Sequence, residues 1–362
     1  MADQDQRPLT RRERGVDAHL EVMAARRRLF LELFDFSTGR GLEVGPLDSA
    51  VAVRPAHDVR YVDVADREGI QGHYAHDPNV LVELVPQIDY RLVEDGVART
   101  VSDAAGDGAP YDWFIASHVI EHVPDVIGWL GQLSQMAAPD AALLLAVPDR
   151  RYCFDRHRPP TTSGQALEAH EEGRTRPSTR AIYDFFTTVV SVDPQALWRG
   201  GRPPGREALI HDQATALDRV ARGRAGEYVD CHVWTFTPQS LREQVDEWRR
   251  MGLCDWRVER IVERPGTVEF LAVLQHVSPG AASAGDQEQV DGVLPDFLAD
   301  EWAARERVVE LRAEVARLKG RVRRLRARNR GLSARLTELD VPVSVRVRRG
   351  LRRRARRLLG SD

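Results

Sequence analysis

Cysteine is scarce: Cys153, Cys231 and Cys254 are the three in 362 residues, and they stand far apart with no C-x-x-C pair. A disulfide framework and a cysteine-ligated zinc knuckle are set aside on that ground, and the reducing cytoplasm is the compartment to expect. No apolar run approaches the roughly 18 residues of a membrane span. Met1 to Arg14 is polar and charged, without the apolar core of a signal peptide. Lysine is rarer still, with Lys319 the single one among 52 basic residues. That bias reads first as the coding habit of a GC-rich genome and second as selection for arginine chemistry. The full G-x-G-x-x-G phosphate fingerprint is missing as well.

What is present is the composition of a folded protein, 42% hydrophobic and 30% charged. The formal net charge of -3 conceals an asymmetry. From Arg305 to Asp362 there are 20 basic and 6 acidic residues, a net +14, so the first 304 residues carry -17. An acidic body is thus joined to a strongly basic tail, and each needs its own account.

Along the body, Asp17 to Phe36 has helical apolar spacing. Short strands are expected at Gly41 to Val44 and Tyr61 to Val64, and buried parallel strands at Tyr111 to Ala116 and Ala142 to Val147. Val126 to Met136 is helical in period, with Glu121 and His122 expected to begin that helix in structural roles. Strands alternating with helices argue for an open parallel α/β sheet. Residues 151–230 interrupt the alternation with helical stretches, among them Thr179 to Val190 behind a Ser178 cap and Glu207 to Arg222. The pattern resumes at Thr237-Pro238, a helix start closed by Gly252. Arg257 to Val262 and Val268 to Leu274 then read as an antiparallel hairpin around Arg264-Pro265-Gly266.

Glu43-Val44-Gly45-Pro46-Leu47-Asp48 is the first stretch with chemical content. A glycine directly after a buried strand allows a tight turn and close approach of a ligand, although an ordinary turn glycine fits the same letters. The acid in the turn suits an amine-bearing ligand better than a pyrophosphate. Asp63 ends the next strand, 18 residues after Gly45, where nucleotide-binding α/β folds place a carboxylate for ribose hydroxyls. Ser117 and His118 end the fourth strand, at the carboxyl edge where such sheets bind ligands. His118 is the best-placed base there, or else a side chain that packs on the ligand.

The segment from Tyr111 to Asp125, YDWFIASHVIEHVPD, resembles the fourth strand of class I S-adenosylmethionine-dependent methyltransferases. The Glu43 to Asp48 loop and Asp63 fall where that family keeps its cofactor loop and its ribose acid. Closer likeness is to methyltransferases of bacterial surface-glycan clusters, which share the ASHVIEHV stretch, the Val147 to Tyr152 run and the His232 to Pro238 run. The resemblance covers roughly half the chain and implies a Rossmann-like class I sheet with an antiparallel terminal hairpin. It implies S-adenosylmethionine as cofactor, held by Glu43, Gly45, Pro46, Asp63 and Ser117. Asp95 is taken as the adenine-contacting acid, with Asp103 and Asp107 in competition. The loop departs from the family in having one glycine and a proline. The implied reaction is methylation of a hydroxyl on a glycan or glycan precursor, with His118 as base. Alternatives are an RNA or protein methyltransferase guided by the tail, or a non-catalytic scaffold.

The expected organisation is a helical segment at 1–36, a catalytic domain at 37–150 and 231–276, and a helical lid at 151–230. A linker at 277–297, a coiled coil at 298–341 and a basic amphipathic tail at 342–362 follow. Arg150, Arg151, Tyr152 and Arg158, after the fifth strand, are candidates to grip an anionic acceptor, against the plainer reading of arginines on a solvated loop. His157, His170, His211 and His232, with Glu171, Glu172 and Asp230 nearby, lack ligand spacing, so no metal is expected. Val308, Leu311, Val315, Leu318, Val322, Leu325, Asn329, Leu332, Leu336 and Leu339 alternate in steps of three and four. That seam fits a coiled coil, either a parallel homodimer registered by Asn329 or a pairing with an acidic partner. A lone amphipathic helix is the alternative. Residues 343–359 hold eight arginines beside an apolar stripe, which favours an anionic membrane surface over nucleic acid. The expected location is cytoplasmic, peripheral at the inner membrane face.

Overall fold

The computed structural model describes residues 11–277, 311, 314–315, 317–326 and 343–358. The chain divides into Met1–Gln289 and Val290–Asp362.

In the first unit, seven strands form one sheet. They are β1 (Arg40–Val44), β2 (Asp58–Asp63), β3 (Tyr90–Arg91), β6 (Tyr111–Ser117), β7 (Ala137–Pro148), β8 (Trp256–Glu263) and β9 (Glu269–His276). Their order is β3-β2-β1-β6-β7-β9-β8. β1 pairs in parallel with β2 and β6, while β9 lies antiparallel between β7 and β8. A separate two-stranded hairpin joins β4 (Val93–Glu94) and β5 (Val97–Ala98).

Alternation along the strands makes two cores, because successive side chains leave a strand on opposite faces. Leu42, Val44, Phe114, Ala116, Leu143 and Leu145 pack on one face. There they meet α3 (Val101–Ala105), α4 (Val126–Gln135) and α9 (Pro238–Arg250). Val59, Tyr61, Trp113, Ile115, Leu144 and Leu271 pack on the other, under Phe30 of α1 (Arg11–Leu33) and Ile70 of α2 (Arg67–Tyr74). Each fully buried leucine or isoleucine contributes about 1.5–3 kcal/mol, so the two layers hold the sheet flat on both sides. Gly41 has no side chain because a Cβ there would run into the Trp113 indole.

The insertion comprises α5 (Ser163–Glu171), α6 (Thr179–Thr188), α7 (Pro194–Trp198) and α8 (Gln213–Arg224). Ser178 caps α6 through the Ala181 N–H, and Thr237 with Pro238 opens α9. The expected helix from Glu207 begins later: residues 206–208 make a 3-10 turn, and Asp212 caps α8 instead. Ala166, Ala169 and Ala181 belong to the main core. The insertion is therefore not a cover laid over a finished domain.

In the second unit, residues 311, 314–315 and 317–326 are helical, and so is Val343–Leu358. Val308, Asn329, Leu332, Leu336 and Leu339 of the expected seam, and the linker from 278, lie outside the described residues.

Candidate active site

The strand order changes direction between β1 and β6, and open α/β sheets bind ligands at the carboxyl ends beside such a reversal. Four of the expected residues arrive there. Gly45 follows β1 with φ +63, its N–H donating to Val62 O at 2.9 Å. A Cβ at Gly45 would stand 2.9 Å from Val119 Cγ2, so the position needs both the left-handed backbone and the absent side chain. Pro46 and Leu47, the latter at φ +45, complete the turn. Asp63 ends β2, where burial pushes its carboxyl up to about 6, against the pull of the Val64 and Leu47 N–H groups. Ser117 ends β6 with its Oγ buried and unpartnered. That orphaned hydroxyl, the glycine turn and the Asp63 carboxylate fit a nucleoside-bearing ligand with polar groups to satisfy.

Glu43 has a different immediate duty. It is 1% exposed, and its oxygens accept from the Val51 and Ala52 N–H groups at 2.7 and 3.1 Å. Burial pushes its carboxyl up to about 8. The acid thus clamps the loop between β1 and β2 rather than standing open to an amine. Asp95, at φ +51, occupies the exposed tip of the β4–β5 hairpin, outside the main sheet. Of its competitors, Asp103 is engaged in the Thr100 capping box of α3, and Asp107 lies in a 3-10 turn.

His118 follows β6 at φ +55, a conformation uncommon for a side chain with a Cβ and concentrated at functional sites. Its Nε2 lies 2.5 Å from Glu269 Oε2, and its Nδ1 lies 3.3 Å from Glu121 Oε1. Glu269, at the head of β9, is also paired with Arg26 of α1 at 2.8 Å and with Arg264. Burial lowers the Arg264 guanidinium to about 10. Sequence reasoning missed this network. A single carboxylate opening the apolar run Phe270 to Leu274 was the available signal.

Glu121 and His122 do not begin a helix. They sit in the turn between β6 and α4, whose first residue is Val126 behind an Asp125 cap. Pro124 and the left-handed turn at His118 delay the helix. Glu121 is 1% exposed. Burial alone would raise its carboxyl, yet the facing His118, His232 and His122 hold it below the usual range.

The arginines after β7, expected to grip an anion, are engaged by the protein. Arg150 donates to the Arg158 carbonyl, and Arg151 pairs with the buried Asp149 and with Glu263. Arg158 is 4% exposed and pairs with Asp155 at 2.9 Å. The charges of Arg151 and Arg158 are matched because β7 leads directly into the buried acids Asp149 and Asp155. Tyr152 stacks on Trp198 of α7, centroids 3.9 Å apart. The expected absence of a metal also meets a finding among the described residues: Glu121, His122 and His232 bring potential ligand atoms within 4.8 Å of one another.

Sheet order and site together define a class I type α/β transferase of methyl groups. Residues 9–248 match the family described as a methyltransferase domain, and the chain belongs to that family. By family it is a methyltransferase. Among solved structures it is similar to an S-adenosylmethionine-dependent methyltransferase from Mesorhizobium loti, with 15% identity over 72% of this chain and 98% of that one, at TM-score 0.36. It is similar to a magnesium protoporphyrin IX methyltransferase from Synechocystis, with 9% identity over 75% and 90%, at TM-score 0.32. It is also similar to the mitomycin 7-O-methyltransferase, with 12% identity, 67% of this chain covered and TM-score 0.31; there it spans about half of that enzyme's length, 51%. Likeness at these scores carries nothing about the acceptor. Among curated proteins none matches this chain. No helix of the described residues is long and apolar enough to cross a membrane.

Proposed function

We propose that the enzyme methylates a hydroxyl of a glycan or glycan precursor, with His118 as the base. The observation that carries the reading is the His118–Glu269 pair at the carboxyl end of β6, a carboxylate fixing an imidazole by one nitrogen. Glu269 holds Nε2 at 2.5 Å and Glu121 faces Nδ1 at 3.3 Å, so Nδ1, the less closely held nitrogen, is the one that would take the acceptor proton, with Glu121 beside it to stabilise the imidazolium. Asp63 would accept from the ribose hydroxyls, Ser117 Oγ would meet a polar group of the cofactor, and the Gly45 turn would let the cofactor approach the backbone. The bound cofactor supplies an electrophilic methyl group; positioning and proton removal are left to the protein. The glycan acceptor rests on the resemblance of the Val147 to Tyr152 and His232 to Pro238 runs. Its support in the fold is that these runs form one wall, with Arg150 N–H donating to Phe236 O at 2.9 Å. Calorimetric titration with S-adenosylmethionine tests the cofactor site, and Asp63→Ala should weaken binding severalfold or more. Transfer from labelled cofactor to nucleotide-sugar and lipid-linked sugar acceptors tests the rest. Methylation of RNA or protein but no glycan would refute the acceptor.

For the second unit, the occupant proposed for the apolar seam is a second copy of this chain, through 308–339 as a parallel pair. In its support, Leu311, Val315, Leu318, Val322 and Leu325 keep heptad spacing on helical backbone and are 44–55% exposed. The Val343–Leu358 helix is proposed to lie on an anionic membrane surface, where paired tails would act together.

A further inference from the structure

The turn after β6 and the residues just before α9 bring two histidines and one glutamate together beside His118. Glu121 is buried, and neither carboxylate oxygen takes a hydrogen bond. Its nearest partner is His118 Nδ1 at 3.3 Å from Oε1, and a buried carboxylate faced only by imidazoles is suited to a further cation. His232 Nε2 faces it at 3.9 Å from Oε1. His122 packs edge-on against His232, ring centroids 4.7 Å apart.

Both imidazoles are oriented from behind. His232 Nδ1 lies 2.5 Å from Asp155 Oδ2, and His122 Nδ1 lies 2.8 Å from Asp230 Oδ1. Asp155 is itself fixed by Arg158. In metal sites a carboxylate holds one ring nitrogen of each histidine and leaves the other aimed at the ion. Here Nε2 of His122 and of His232 makes no hydrogen bond among the described residues.

We infer that Glu121, His122 and His232 form a binding site for a divalent transition metal ion of the zinc class. Two imidazoles and one carboxylate are the donor set of open, catalytic zinc sites, and they disfavour magnesium, which takes oxygen ligands. The ligand atoms lie within 4.8 Å of one another. Neighbouring ligands of a tetrahedral zinc stand about 3.3–3.5 Å apart, so the side chains close by about 1.5 Å to complete the site. The ion would lie within about 5–6 Å of His118 Nδ1, given the 3.3 Å from that nitrogen to Glu121 Oε1. A free coordination position there is suited to a hydroxyl or diol oxygen, a consequence that rests on the proposed reaction, whereas the metal site itself does not.

Full-length protein stripped with EDTA and titrated calorimetrically with Zn²⁺, and separately with Mg²⁺, tests this. The expected result is one Zn²⁺ per chain with a dissociation constant below about 100 μM and no Mg²⁺ response. Asp230→Asn should weaken Zn²⁺ about 10–100-fold, and His122→Ala at least as much. Both positions are partly open, 68% and 30% exposed, so the variants should fold, as circular dichroism would verify. Folded protein that takes no Zn²⁺, or variants that bind it as the parent does, would overturn the site. S-adenosylmethionine titrated into the same samples separates the two claims: cofactor bound without Zn²⁺ refutes the metal alone, and Zn²⁺ bound without cofactor refutes the cofactor reading alone.

Discussion

Replacing Asp63 by asparagine should strengthen the fold and weaken the enzyme at once. The carboxyl is pushed from an ordinary 3.8 to about 6 by burial at the end of β2. Keeping it ionised at neutral pH costs up to about 3 kcal/mol. Partial solvent access and the N–H groups that asparagine could still accept from reduce the gain of Asp63→Asn to about 1–2 kcal/mol. In a domain of this size that is about 2–6 °C in Tm. The sign has a pH signature. A carboxyl whose folded value is raised binds its proton more tightly when folded, so its contribution to stability is lost as pH rises from about 4 through about 6. The advantage of the variant should therefore be absent below pH 4, grow across that window and stay constant above it. Cofactor binding should move the other way, about 10–100-fold weaker, because hydrogen bonds to an ionised acceptor are lost. Urea denaturation across pH 4–8 and calorimetric titration at pH 7.5 make the measurement. A variant less stable than the parent at pH 7.5, or one that binds cofactor equally well, would refute the reasoning.

Gly45→Ala should cost about 1–2 kcal/mol from the positive φ alone, with cofactor affinity reduced further by the push on Val119; chemical denaturation reads the first effect and titration the second. His118→Gln should lower kcat by about 10²–10⁴ while cofactor affinity changes less than about threefold, which steady-state kinetics and titration separate. Leu318→Glu with Val322→Glu should convert an associated chain to a monomer in sedimentation without altering cofactor binding. An unchanged sedimentation coefficient would contradict the seam.

Much of the architecture was readable because it depends on neighbours in sequence. The runs at Tyr111 and Ala142 lie within β6 and β7, and the caps at Ser178 and Thr237 open α6 and α9. Gly45, Asp63, Ser117 and His118 were readable as a group because each ends a strand, and parallel strands bring their ends together. What escaped depends on contacts between distant segments. Glu269 reaches His118 across 151 positions, and Arg158 meets its partners behind a turn that no periodicity describes. The arginines after β7 looked free because their acids, Asp149, Asp155 and Glu263, were read as background. The packing of 151–230 against the sheet domain was hidden for a related reason. Its alanines are small enough to be overlooked as core, yet Ala166 and Ala169 are fully buried, and deleting 161–226 would open the sheet's main layer.

The carboxylate that steadies His118 belongs to the last strand of the sheet, and the arginine that steadies the carboxylate belongs to the first helix. During synthesis on the ribosome, the Gly45 turn and His118 emerge long before Glu269 does. A nascent or prematurely ended chain therefore holds a histidine without its orienting acid and an arginine without its partner. The same strand β9 that lies between β7 and β8 also carries Glu269 to His118. On the role proposed for His118, a chain that stops before residue 269 lacks the acid facing that histidine and is expected to transfer no methyl groups.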